Sequence, residues 1–190
     1  MRIQHILIKN FRGIKHLDWK VDGDFICFIG PGDSTKSTIL DAIEYALSPR
    51  YNIPIEDSDF YNLDADKQFE ISVTIGQLPE ILLSEQKYGL CLRGWKDGSG
   101  LQDEPNDDCE SVLTISLQVS KDMEPKWLIL NDRLQDEKRI SQGDRAILCM
   151  SRLGTYINRH LSWSPGSLLS MMTGEDINLN QILLEAVRKV

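Results

Sequence analysis

No run of about 18 consecutive apolar residues, the length a membrane-spanning helix needs, occurs in the chain. A membrane-spanning helix is excluded on that ground. Met1-Arg2-Ile3-Gln4-His5 leads into no long apolar stretch and no small-residue cleavage site, so the N-terminus does not read as a signal peptide. Cysteine is sparse: Cys27, Cys91, Cys109 and Cys149 stand far apart, without the paired spacing of a metal site. They read as reduced structural thiols of a cytoplasmic protein. His5, His16 and His160 are equally scattered and show no metal-ligand spacing. Positive charge is in deficit too: 21 Lys and Arg stand against 29 Asp and Glu, a formal net charge of −8. That excludes a surface holding polyanions by bulk charge. A nucleic acid would need a local basic patch, or a partner subunit that supplies one.

What is present is the composition of a folded globular chain, 41% hydrophobic and 26% charged, long enough for one core and at most a small satellite lobe. Residues 1–50 hold opening strands, a loop and a first helix. Ile6-Leu7-Ile8 is a short apolar run, Phe11-Arg12-Gly13 a turn, and Leu17, Trp19 and Val21 alternate with polar residues as on a half-buried strand. Phe25-Ile26-Cys27-Phe28-Ile29 is apolar on both faces, which predicts a buried central strand. From Lys36 the period turns helical. Ile39, Ala42, Ile43, Ala46 and Leu47 share one stripe, Asp41 and Glu44 lie opposite, and Pro49 ends it.

Residues 51–135 read mainly as an antiparallel lobe. Phe69, Ile71, Val73 and Ile75 alternate, Pro79 opens a short helix to Leu83, and Tyr88 to Trp95 reads as a strand. The acidic stretch from Lys96 to Glu110 reads as a solvated loop. Leu113, Ile115, Leu117 and Val119 alternate again, and Trp127 to Leu130 forms one more strand. Residues 136–190 read as helical. Ser141 and Asp144 have capping-box spacing, Ala146, Ile147, Met150, Leu153 and Ile157 continue a stripe, and another helix is expected from Ile177. Arg188-Lys189-Val190 stops that last pattern without a cap, which suggests a piece of a longer polypeptide.

One segment carries chemistry: Gly30-Pro31-Gly32-Asp33-Ser34-Thr35-Lys36-Ser37-Thr38, between a predicted buried strand and an amphipathic helix. A phosphate-binding loop requires that context. The first turn of a helix has unsatisfied N–H groups at the positive end of its dipole, and a loop wrapped ahead of it aims further amides inward. Lys36 would reach the terminal phosphates and Ser37 would give its hydroxyl to Mg²⁺, a hard cation that prefers oxygen. The pattern G-x-x-x-x-G-K-[ST] wants Gly where Thr35 stands. A β-branched residue held there at positive φ carries roughly 1–3 kcal/mol of strain. Asp33 adds a carboxylate to a loop meant for a polyanion. The alternative is a Gly/Ser-rich strand-to-helix turn with an accidental Lys-Ser.

Ile6-Leu7-Ile8-Lys9-Asn10-Phe11-Arg12-Gly13-Ile14, a strand, this variant loop and Ile39-Leu40-Asp41-Ala42-Ile43 together resemble the start of an ABC-type ATPase head of the OLD, RecF and SMC class. Arg152-Leu153-Gly154 and Arg159-His160-Leu161-Ser162-Trp163 are similar to segments of OLD-like ATPases. The resemblance implies an α/β P-loop NTPase fold, here the N-terminal portion of a head with an antiparallel β lobe and C-terminal helices. It implies ATP and Mg²⁺ as ligands, and heads that pair as a homodimer with nucleotide sandwiched between them. It places Arg12 beside the nucleotide phosphates, against the alternative of a surface turn residue. It also implies, for the full protein, action on DNA in repair, recombination or phage defence, with a nuclease in a separate Toprim-type domain that nothing here resembles.

A complete head of that class also carries an L-S-G-G-Q-like signature helix and a strand ending in Asp-Glu. Trp127-Leu128-Ile129-Leu130-Asn131-Asp132 imitates the strand, but Asn131 and Asp132 replace the acidic pair, so it reads as part of the antiparallel lobe. Ile140-Ser141-Gln142-Gly143-Asp144 imitates the signature only faintly, and capping explains it equally well; Met171 to Asp176 is too broken to serve. Asp64-Ala65-Asp66 has two-metal spacing but sits in a polar turn. Lys138-Arg139 with Arg152 and Arg159 could form a small basic face on the helices. The expectation is an ATP-binding part of a DNA-acting ATPase, with no catalytic residue assigned. The alternatives are a non-hydrolysing nucleotide-binding regulator and an interaction module with a decayed loop.

Overall fold

Period-two alternation builds most of the described structure. The computed structural model describes residues 1–133, 137–148 and 150–152, and Met1–Met150 forms one compact unit. The chain opens with β1 (Arg2–Phe11) and β2 (Ile14–Lys20), followed by the loop and α1 (Lys36–Ala46). Next come β3 (Phe69–Gly76), a short α2 (Glu80–Leu83), β4 (Arg93–Lys96) and β5 (Gly100–Gln102). Then follow β6 (Glu110–Val119), β7 (Pro125–Ile129), β8 (Lys138–Arg139) and α3 (Gln142–Ile147). Every pairing is antiparallel. β1 lies between β2 and β3; β6 pairs β3 and β7 along most of its length and takes β4 at its start, while β5 and β8 extend the two ends.

The alternation in β3 and β6 separates two faces. Phe69, Ile71, Val73 and Ile75 stand in register with Val119, Leu117, Ile115 and Leu113, and all are buried. Ala42, Ile43 and Ala46 of α1, with Leu47 just past its end, close over this layer. Phe11, Phe60 and Phe69 stack at its end, with centroids 5.2 Å apart for both pairs. On the other face, Ser72 donates to Ser116 at 3.0 Å, and Thr74 and Thr114 share a bond at 2.9 Å. Cross-strand hydroxyl pairs satisfy the polar atoms that burial would otherwise leave bare.

Several expectations hold and several are corrected. The helix after Pro79, the strands at 69–76 and 110–119 and the cap at Ser141 are present. Asp144 N–H donates to Ser141 Oγ at 3.1 Å and Ser141 Oγ–H to Asp144 at 2.7 Å. Phe25–Ile29 is not a buried central strand: among the described residues it pairs with nothing, and Phe25 and Ile29 are both 90% exposed. A segment apolar on both faces needs strand neighbours and a covering layer on each side, and the antiparallel sheet supplies neither. Phe28 meets Trp19 edge-on, 5.4 Å between centroids, and Ile26, Cys27 and Phe28 line a hollow with the loop and Leu40. The Tyr88–Trp95 strand starts only at Arg93, after a turn of 3₁₀ helix at Gly89–Cys91. The acidic loop holds a strand, β5, in a hairpin with β4. Lys138 and Arg139 lie on a strand rather than a helical basic face, and Lys138 is tied to the Lys87 carbonyl and the Tyr88 ring. α3 ends at Ile147; the stripe expected beyond Arg152 and the helix from Ile177 lie outside the described residues. No described helix is long and apolar enough to cross a membrane.

Asp144 anchors α3 to the lobe. It takes bonds from Lys87 at 2.6 Å and Tyr88 at 2.8 Å besides Ser141. Burial opposes its ionisation, but the bonds from Lys87, Ser141 and Tyr88 outweigh that and hold its carboxyl below the ordinary range. A depressed carboxyl stabilises the fold above its unfolded-state value, and that contribution is lost as pH falls through the folded value. Denaturant unfolding across an acid pH series therefore shows a steeper loss for the wild type than for Asp144→Asn, which is less stable at neutral pH. Parallel curves would exclude the anchor.

Candidate functional site

α1 is polarised by its surroundings. At its C-terminal end Trp127 Nε1 donates to the Tyr45 carbonyl at 3.3 Å, and Arg145 donates to the Ser48 carbonyl at 2.6 Å and that of Arg50 at 3.3 Å. A cation sits where the helix dipole is negative. The N-terminal end is left open. No side chain caps it, no acidic residue stands in the first turn, and the ladder starts with Ile39 N–H to Thr35 O at 3.1 Å. The amides of Lys36, Ser37 and Thr38 find no acceptor among the described residues.

The loop ahead of that turn is folded on itself. Ser34 Oγ–H donates to Pro31 O at 2.8 Å. The Lys36 ammonium curls back to donate to Gly30 O at 3.0 Å, to Ser34 Oγ at 2.8 Å and to Pro31 O. Gly30 permits this closeness, since a Cβ there would stand 3.0 Å from Ser34 Oγ. Thr35 sits at φ 61°, ψ 9°, the left-handed conformation that costs a β-branched residue most. In that conformation its hydroxyl misses the first-turn amides and donates to Ser34 O at 2.7 Å. Asp33 is also left-handed, at φ 57°. Both positions that favour glycine thus carry side chains. The signal for Asp33 was its residue type, because Asp enters that region more readily than most.

Ile26, Cys27, Phe28, Asp33, Ser34, Thr35, Lys36, Ser37 and Leu40 line a hollow of about 460 Å³. Of the loop residues, Asp33 to Ser37 line this hollow, Gly30 and Pro31 meet the Lys36 ammonium through their carbonyls, and Gly32 and Thr38 are not part of the lining. The unpaired first-turn amides and the exposed Ser37 hydroxyl are a donor set that fits a phosphate chain and a hard cation; the Lys36 ammonium joins it by exchanging its bonds to Gly30 O, Pro31 O and Ser34 Oγ for phosphate oxygens. Thr35 and Asp33 are the parts that fit least.

Arg12 is placed elsewhere. Its Nη1 donates to Asp41 at 2.5 Å and its Nε to Asp59 at 2.8 Å, and its own amide donates to Asp59 O at 2.8 Å. The guanidinium also lies over Phe11 and Tyr45, 5.0 and 5.6 Å from the ring centroids. Burial works against its charge, yet the bonds to Asp59 and Asp41 outweigh that and raise its pKa further. Arg12 faces a second hollow, of about 480 Å³, with Tyr45, Glu56, Ser58 and Asp59. Sequence reasoning missed this clamp. Asp59 is 47 residues from Arg12, and Asp41 showed as a polar position opposite the apolar stripe and within the Ile39–Ile43 run, with nothing to link it to Arg12. Gly13 connects the two regions: a Cβ on it would meet Thr35 Cγ2 at 3.1 Å.

A family model described as the AAA ATPase domain matches residues 1–154. The chain belongs to the AAA ATPase domain family. No curated protein matches it. Among solved structures it is similar to a chain from the structural biochemistry of ATP-driven dimerization and DNA-stimulated activation of SMC ATPases. That similarity covers 97% of this chain and 98% of the other, at 14% identity and a TM-score of 0.48.

In this AAA ATPase domain the acidic-pair imitation is taken up by structure. Asn131 is buried, donates to Leu92 O at 3.3 Å and accepts from the Arg133 amide at 2.9 Å, while Asp132 pairs with Arg93 at 3.2 Å. Asp64 of the D-x-D turn pairs with Lys67 at 2.6 Å. Among the described residues no three His, Cys, Asp or Glu side chains gather into a metal site. Arg159, His160, Trp163 and Met171 to Asp176 lie outside the described residues.

Proposed function

We propose that the chain binds ATP with Mg²⁺ through Gly30 to Thr38, as one part of an OLD/RecF-like ATPase head in the cytoplasm. The observation that carries this is the uncapped first turn of α1, whose Lys36, Ser37 and Thr38 amides have no acceptor among the described residues, with Lys36 and Ser37 lining the hollow beside it. The amides and Lys36 would hold the phosphates, and Ser37 the cation. Arg12, clamped by Asp41 and Asp59, would fix the opening turn against α1 and reach phosphate only if those pairs open. The exposed Phe25–Ile29 segment supports a head with further strands, since a segment apolar on both faces needs neighbours that the described residues do not supply. In the full protein, two such heads would pair through bound nucleotide and gate an act on DNA: repair, recombination or phage defence through an ATP-dependent nuclease.

Two other readings keep specific support. Engagement of Asn131 and Asp132 in lobe contacts favours a nucleotide-binding regulator that does not hydrolyse. Side chains at both left-handed loop positions favour an interaction module with a decayed loop. Titration with labelled Mg-ATP, with phosphate release followed in parallel, separates the three. Binding is expected, and Lys36→Ala weakens it at least about tenfold, the scale of a lost charge-assisted contact. Binding without release points to the regulator. No binding by the folded wild type, or equal binding by the variant, removes the proposal and leaves the decayed module.

A further inference from the structure

We infer that Asp33 makes the loop discriminate against metal-free nucleotide, so that the site takes a triphosphate as its magnesium complex. This rests on the nucleotide reading above and concerns the charge balance of the same hollow. Among the residues lining it, only Asp33 and Lys36 are charged, so their formal charges cancel. Arg12 cannot tip that balance while two carboxylates hold it. The chain as a whole is acidic, at −8. With the Lys36 charge offset by Asp33, the net positive field of the hollow comes from the open helix end and its amides, a partial charge of roughly half a unit. Asp33 is exposed, left-handed, and its carboxylate bonds to nothing among the described residues. No partner neutralises it. A free triphosphate with about four negative charges meets that carboxylate directly, whereas magnesium removes about half of the charge.

Repulsion scales with ligand charge, so its removal helps the free nucleotide more than the complex. Asp33→Asn is the suitable variant, because Asn also tolerates the left-handed conformation and leaves the loop path intact. The measurement is the affinity for ATP by titration with excess Mg²⁺ and again with EDTA, at low salt, where such effects are least screened. The wild type is expected to bind the magnesium complex more tightly. In Asp33→Asn the complex gains about threefold and free ATP about tenfold, so the ratio of the two affinities falls about threefold. Asp97→Asn, an equal charge change on the exposed β4–β5 turn, leaves the ratio where it was.

An unchanged ratio in Asp33→Asn overturns the inference, and so does a wild type that binds equally well with EDTA; either result leaves the nucleotide reading standing. A fall in the ratio caused only by weaker binding of the complex also overturns it, since that would make Asp33 a cation ligand. If folded wild type and variant both bind neither form, the nucleotide reading itself fails and this inference falls with it.

Discussion

Replacing Arg145 by alanine lowers the unfolding free energy by roughly 2–4 kcal/mol, which for a chain of this size moves the thermal midpoint down by roughly 5–15 °C. Arg145 is almost fully buried, 3% exposed, and lies over Trp127 with its guanidinium carbon 3.7 Å from the ring centroid. No carboxylate accompanies it among its contacts. Its Nη1 bonds are to the Ser48 and Arg50 carbonyls, its Nε has no partner among the described residues, and burial lowers its pKa. Against that desolvation stand a charge-assisted bond of about 1.5–3 kcal/mol and a cation–π contact of about 0.5–2 kcal/mol. Arginine can do both because its planar fork stacks while its edge donates.

The conservative variants decide which contribution dominates. Arg145→Met keeps the apolar bulk on Trp127, leaves the Ser48 carbonyl without its donor and sheds the desolvation cost. Arg145→Lys keeps the charge, but an ammonium is more strongly hydrated and cannot lie flat on the ring. The expected order of stability is wild type, Met, Lys, Ala, measured by urea unfolding followed on tryptophan fluorescence. A Lys variant above Met would assign the effect to the α1 dipole instead. A loss under about 0.5 kcal/mol for Ala would remove Arg145 as the tie between α1 and α3.

That tie marks where the sequence stops being readable. Alternation at Phe69–Ile75 and Leu113–Val119 announces β3 and β6 because side-chain direction in a strand is a local property. The stripe from Ile39 to Leu47 announces α1, and Ser141 its helix start, for the same reason. The loop Gly30 to Thr38 is legible as the lead-in to a helix because its amides and lysine are supplied by neighbours in the chain, while the strand expected ahead of it is not formed. Arg145 reaches a carbonyl 97 residues away, and Asp59 clamps an arginine 47 residues away. No periodicity encodes such pairs. Phe25–Ile29 misled for a related reason: its pattern states what the segment needs, a two-sided sheet, and not whether the described residues provide one.

Thr35→Gly raises the unfolding free energy by about 1 kcal/mol. The left-handed φ of 61° strains a β-branched residue by roughly 1–3 kcal/mol, and glycine gives back roughly 0.5–1 kcal/mol through its freer unfolded chain. Thr35→Asn gains more, since asparagine tolerates the conformation without that entropy cost. Nucleotide affinity responds differently. Strain that is equal with and without nucleotide drops out of binding, so any tightening must come from removing the Thr35 methyl and hydroxyl beside the phosphate path. A severalfold gain is expected for glycine and less for asparagine. Gly13 supplies the check on geometry. A Cβ there meets Thr35 Cγ2 at 3.1 Å, so Gly13→Ala is costly in the wild-type background and milder in the Thr35→Gly background, where that methyl is gone, and the double-mutant cycle shows favourable coupling. Denaturant unfolding and ATP titration of the four proteins measure both quantities. If Thr35→Gly destabilises and the cycle is additive, Thr35 is not strained against the opening turn. The loop would then follow a path of its own, and the phosphate-binding reading would lose its geometric support.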